Sequence, residues 1–107
     1  ISRSVVQRRQ AELNRDRLEE EAVREIRVTW QDYLHAEELI ALTEQVRAYR
    51  RRAAELARQA VEQGVELPTK ALGAEADLRQ AEAEVLGARL QRHIAVLRLH
   101  SLTNELR

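Results

Sequence analysis

The sequence predicts an all-α fold, a long antiparallel coiled-coil helical hairpin whose first helix is longer than its second. Three observations predict it. Residues 4–63 contain neither Pro nor Gly and are dominated by Ala, Leu, Glu, Arg and Gln, all strong helix formers. The only place where the chain is told to stop and restart is Gln63-Gly64-Val65-Glu66-Leu67-Pro68-Thr69. On both sides of that stretch apolar residues follow the alternating three-four spacing of a coiled-coil seam.

Composition supports a thin seam over a compact core. Of 107 residues 34% are charged and only 3% aromatic, and Ala supplies much of the 44% that is hydrophobic, so little bulk is available to bury. The 18 basic and 18 acidic side chains cancel, whereas a nucleic-acid partner needs an uncompensated basic surface. No cysteine is present, which removes disulfides, thiolate metal sites and nucleophilic thiols. No apolar run is long enough to span a bilayer as a helix, so this stretch is not itself expected in the membrane. The chain opens on Ile1 in mid-pattern, and a fragment of a larger protein is expected.

The first helix is expected over about 3–63 and would be roughly 90 Å long at 1.5 Å per residue. Its weakest point is Asn14-Arg15-Asp16, where Asn and Asp compete with the backbone for hydrogen bonds, and a break is the structural alternative there. Val23, Ile26, Trp30 and Tyr33 make one apolar stripe. Leu39, Leu42, Val46, Tyr49, Ala53, Leu56 and Ala60 make a second, which is the expected hairpin seam.

The tip is expected over 64–69. Gly64 can take the left-handed conformation that closes a helix, Pro68 cannot continue the incoming helix, and Thr69 offers a hydroxyl to the outgoing one, with Pro68 and Thr69 both open as its cap within a residue or two. The second helix, over about 70–105, carries Ala71, Ala74, Leu78, Ala81, Val85, Ala88, Arg92, Ala95, Leu99, Leu102 and Leu106 in three-four spacing, with Arg92 the one polar residue. A further stripe runs through Leu72, Ala76, Ala83, Leu86, Leu90 and Leu97. Two stripes on each helix imply neighbours on two sides.

Both seams stay in phase if Ala60 faces Ala74, Leu56 faces Leu78, Ala53 faces Ala81, Tyr49 faces Val85, Val46 faces Ala88, Leu42 faces Arg92 and Leu39 faces Ala95. In that register Leu106 lies opposite Val28, and the residues before it, with Val5, Val6, Leu13, Leu18 and Val23, overhang without a partner. Such an overhang, with the side stripes, predicts self-association.

Nothing marks an enzyme: no Gly-rich loop, nucleophile elbow or Ser/His/Asp order is present. His35, with Asp32 and Glu38 on its own helix and His100 across the hairpin, lacks the His-x-x-x-His or Glu-x-x-His spacing that sets ligands on one face, so no metal or other cofactor is expected. Trp30 and Tyr33 read as packing residues. Arg47, Arg50, Arg51, Arg52 and Arg58 share their turns with Glu44, Glu55 and Glu62 and read as a solvated, ion-paired face. The tip differs: Val65, Leu67 and Pro68 are apolar where a free-standing coiled coil places polar turn residues. Gly64, Val65, Leu67, Pro68, Thr69 and Lys70 are the expected partner-binding residues, with Lys70, the only lysine, as a steering charge.

The order of these features resembles the periplasmic helical hairpin of the TolC-like outer membrane efflux proteins. The likeness lies in Glu25-Ile26-Arg27-Val28-Thr29-Trp30-Gln31-Asp32-Tyr33, in the Leu72, Ala74, Leu78 and Ala81 spacing after Gly64, and in the close through Ala95, Leu99 and Leu102-Thr103-Asn104. Three departures stand out. Val61 replaces a usual aromatic, Asn104 replaces a closing Gly, and Lys70 and Gly73 stand where many members carry entrance-lining aspartates, which argues against an acidic, cation-binding gate. The resemblance implies a Gram-negative outer membrane channel, trimeric in the parent protein, whose hairpins form a helical barrel in the periplasm. It also implies that their tips dock a periplasmic adaptor protein. The hairpin of the adaptor itself and a purely structural coiled coil are the alternatives that the residues leave open.

Overall fold

The computed structural model describes residues 2–106. It contains two helices, α1 (Arg3–Glu62) and α2 (Pro68–Glu105), packed side by side in one hairpin. The molecule measures 93 × 18 × 15 Å, and its radius of gyration of 25.3 Å is nearly twice the ~13 Å of a globule of this size. Such a rod has no interior beyond a single seam.

α1 runs unbroken through Asn14-Arg15-Asp16, so the alternative break does not occur. The Ser2 hydroxyl caps its start by accepting from the Ser4 amide at 3.2 Å. The other end closes in a Schellman motif: Val65 N–H donates to the Ala60 carbonyl at 2.9 Å and Gly64 N–H to that of Val61 at 3.0 Å. Gly64 takes φ +74°, the left-handed conformation that this motif demands.

α2 starts at Pro68, and Leu67 is its N-cap residue. Neither of the two candidate caps holds that position: Pro68 is the first helical residue and Thr69 sits inside the first turn. Proline is pre-set for the first helical position because its φ is fixed and it has no amide to satisfy there, and it holds Leu67 extended at φ −76°, ψ 147°. The loop is therefore 63–67, centred on Val65 and not on Leu67 as the expected register requires. Moving the centre of an antiparallel hairpin by two residues moves every cross-helix partner by four, about one helical turn. That preserves the inward face of α2 while changing what lies opposite it.

The buried residues differ from the expected set on α1 as well. On α2 they are Leu78, Ala81, Val85, Ala88, Ala95 and Leu102, with Val85 fully enclosed. On α1 they are Thr29, Ala36, Ile40, Thr43 and Ala54. Tyr49, Leu56 and Leu42, expected at the centre of the seam, are 68%, 51% and 57% exposed, and Leu39, Val46, Ala53 and Ala60 are half-buried on its flank. The inward line on α1 thus runs one residue later than the expected one. Its members are smaller, and that lets the helices approach closely against the alanines of α2. Thr43 satisfies its buried hydroxyl by donating to the Leu39 and Ile40 carbonyls, at 2.8 and 3.2 Å.

Cover of α1 by α2 begins at Ala22, which shares a groove with Leu18, Glu105 and Leu106. Leu106 lies there and not opposite Val28, again because α2 starts early. Val5, Val6, Leu13 and Leu18 are exposed on the overhang.

Candidate functional site: the hairpin tip and its two faces

The tip presents apolar surface on a rigid frame. Val65 and Leu67 are 73% and 72% exposed, held between the Schellman closure of α1 and the proline start of α2. Gly64 and Pro68 build the turn, and Thr69 and Lys70 lie exposed on the first turn of α2. The Lys70 ammonium pairs with Glu66 at 3.0 Å across that turn, so its charge is partly compensated within the loop. The structure thus brings the six tip residues together at one end of the rod.

The two long faces of the hairpin differ. On one, charges tie α1 to α2: Glu44 accepts from Arg89 at 3.0 Å, and Glu37 lies 3.6 Å from Arg92. Arg92, the polar residue in an otherwise apolar line, is thereby accounted for, since its stem passes over the seam and its guanidinium reaches a carboxylate at the edge. Glu37, through hydrogen bonding and then its negative charge, raises the Tyr33 pKa above the ordinary tyrosine value, while Arg92 pulls the other way. Tyr33 stacks on Trp30, with centroids 5.3 Å apart and rings at 24°. Tyr33 is half-buried, while Trp30 is 48% exposed.

The opposite face carries the exposed stripe of α1. Val46 and Arg50 share a groove there with Asp77, Gln80, Ala81 and Glu84, and Arg50 lies 3.7 Å from Asp77. Farther from the tip Thr29, Asp32 and His35 line another with Gln91, Ile94, Ala95 and Arg98. His35 meets no second imidazole in it, and among the described residues no group of His, Cys, Asp or Glu is arranged to hold a metal ion.

Sequence reasoning missed the inward line through Ala36, Ile40, Thr43 and Ala54 and the charge pairs across the seam. The signal was present, because Ala36-Ile40-Thr43 and Ala54-Ala57-Val61 also keep three-four spacing, but the bulkier stripe beside them masked it.

No helix among the described residues is long and apolar enough to cross a membrane. A comparison with curated proteins and one with solved structures returned no match. The family model described as "Outer membrane efflux protein" matches residues 1–105, nearly the whole chain. That family comprises transport channels and not enzymes. A long two-helix rod, apolar on the outside as well as in its seam, is a form consistent with the helical part of such a channel, and this chain belongs to the outer membrane efflux protein family.

Proposed function

We propose that this hairpin is a periplasmic segment of a longer outer membrane efflux channel, that it packs beside other hairpins of a homo-oligomer, a trimer in the parent, to form a helical barrel, and that its tip docks a periplasmic adaptor protein. The family match favours the channel over the adaptor's own hairpin and over a purely structural coiled coil.

The observation that carries the docking reading is the exposure of Val65 and Leu67 at the end of the rod. An isolated turn gains nothing from two aliphatic side chains in water; a partner that covers them gains their transfer free energy, about 25 cal/mol per Å² of apolar surface. The frame beneath them is fixed by backbone hydrogen bonds at Ala60 and Val61 and by Pro68, so little ordering entropy is lost on docking. Glu66 and Lys70, paired at the rim, supply orientation more than affinity.

The test is Leu67→Asp and Val65→Asp in the full-length protein. Each should abolish efflux-dependent resistance and adaptor cross-linking at the tip while the protein still folds and inserts. Undiminished resistance with undiminished cross-linking would show that the tip only closes the hairpin.

A further inference from the structure

The seam of α1 changes character along its length. Far from the tip the inward line is Ala22, Ile26, Thr29, Tyr33, Ala36 and Ile40, and the line one residue earlier is exposed and mostly polar, with Glu25, Asp32 and His35. Nearer the tip the two lines exchange quality. The inward one continues through Thr43 to Arg47 and Arg50, which are half-buried cations at seam positions, before it reaches Ala54. The one a residue earlier is Leu42, Val46, Tyr49, Ala53, Leu56 and Ala60, apolar throughout. Arg50 lies 3.7 Å from Asp77 in a pair largely open to water, which offsets little of its burial.

Both lines fit the same face of α2. Leu78, Ala81, Val85 and Ala88 are buried there at three-four spacing, and each α1 line has that spacing too. Turning α1 by one residue, about 100°, therefore exchanges one line for the other. Val46, Ala53 and Ala60 already stand half-buried at the edge of the seam. The turn has a place to begin: Tyr33, Ala36, Leu39 and Leu42 are successive three-residue steps, and three-residue insertions overwind a coiled coil locally. It also has a place to stop, because before Ala36 the earlier line would carry Glu25, Asp32 and His35 into the seam.

We propose that the tip half of α1, residues 42–61, is a two-position element. In the position described above Arg47 and Arg50 face α2; in the other Val46, Tyr49 and Leu56 face it and the arginines turn toward water. The movement reaches the tip. Gly64 and Val65 are hydrogen-bonded to the Val61 and Ala60 carbonyls and turn with α1, whereas Leu67 is fixed beside Pro68 on α2. The two exposed aliphatic side chains thus change their mutual orientation with the position of α1, and a partner that covers both in one orientation favours one position. That last consequence rests on the docking reading. The two positions do not, and their test reads the chain alone.

Tyr49→Cys and Ala81→Cys are placed in one chain and oxidised at high dilution. Counted from Val65 they are sixteen residues before and sixteen after, hence level, but Tyr49 is 68% exposed and Ala81 buried, so the two side chains meet only in the second position. Val28→Cys with Leu102→Cys is the control, an exposed and a buried residue in the same relation three heptads farther from the tip, where α1 keeps its phase. The expected result is an in-chain disulfide from 49 and 81 and little from 28 and 102. Arg50→Glu, which sets a carboxylate against Asp77, should speed closure of the first pair. Arg47→Leu with Arg50→Leu should slow it by about tenfold, because both leucines favour the described position. The single variant Tyr49→Cys, with the inward face of α2 intact, gives a second readout: maleimide labelling of that thiol should slow when Arg50→Glu is added. Equal closure of the two cysteine pairs, closure or labelling that ignores the charge at 47 and 50, or a disulfide from 49 and 81 that forms only between chains would each overturn the exchange.

Discussion

The Glu37 carboxylate acts on both helices, lying 3.6 Å from the guanidinium of Arg92 on α2 and raising the pKa of Tyr33 on its own helix. Because the hydrogen bond and the negative charge of Glu37 raise the Tyr33 pKa, the folded hairpin holds that proton more tightly than the unfolded chain. Stability should accordingly be level below the ordinary tyrosine value and fall as pH climbs past it, until Tyr33 ionises in the folded state too. Alkaline urea titrations should show this slope in the wild type and lose it in Tyr33→Phe. Spectrophotometric titration of Arg92→Ala should move Tyr33 further up, since Arg92 lowers it, and Glu37→Gln should move it back down.

The buried line of α1 has a direct mutational signature. Ile40→Ala removes a side chain that is 7% exposed and should cost about 2 kcal/mol or more. Leu42→Ala, two residues on and 57% exposed, should stay within about 0.5 kcal/mol in the same urea measurement at a concentration low enough to avoid association. Equal losses at both would put Leu42 in the seam, as expected from the sequence.

At the tip, Gly64→Ala places a Cβ in open space on a left-handed backbone, so its whole cost is conformational, roughly 1–2 kcal/mol. Gly64→Asn should lose less, because Asn tolerates that region better. Thermal melts of the two variants decide the order.

The charge pairs across the seam are exposed and should contribute little singly. A double-mutant cycle on Glu44 and Arg89 should return about 0.2–1 kcal/mol of coupling, mostly lost in 1 M salt, where charges more than ~3 Å apart are screened. A larger, salt-independent coupling would mean that these side chains organise the seam and do not merely border it.

The two helices, the turn and the inward face of α2 were legible because each rests on a local rule: uninterrupted helix formers, one Gly and one Pro, and a single stripe of Ala, Leu and Val. The inward face of α1 was not. Two stripes lie side by side there, and the expectation that the bulkier one is buried selected Leu42, Tyr49 and Leu56, whereas Ala36, Thr43 and Ala54 fit against the alanines of α2. The register followed from the turn, where Pro68 begins α2 one residue ahead of Thr69, and neither of these candidate caps holds the cap position. The tip residues were readable as an apolar cluster, but the Glu66–Lys70 pair that tempers the lysine depends on a helical turn whose start the residues alone left open.

The single closed turn on Val65 also fixes the order in which the two arms can find each other. Pairs near Ala60 and Ala71 are separated by few residues, and the entropy of bringing chain ends together grows with that separation, slowly but without limit. Contacts that close small loops form first, and each one shortens the loop left to close. Pairing therefore zips from the Schellman turn outward, and opening starts at the other end, near Ala22 and Leu106. Amide exchange should follow that direction, slowest beside the turn and fastest where α2 runs out, so that the exposed side chains of Val65 and Leu67 stand on the last part of the molecule to come apart.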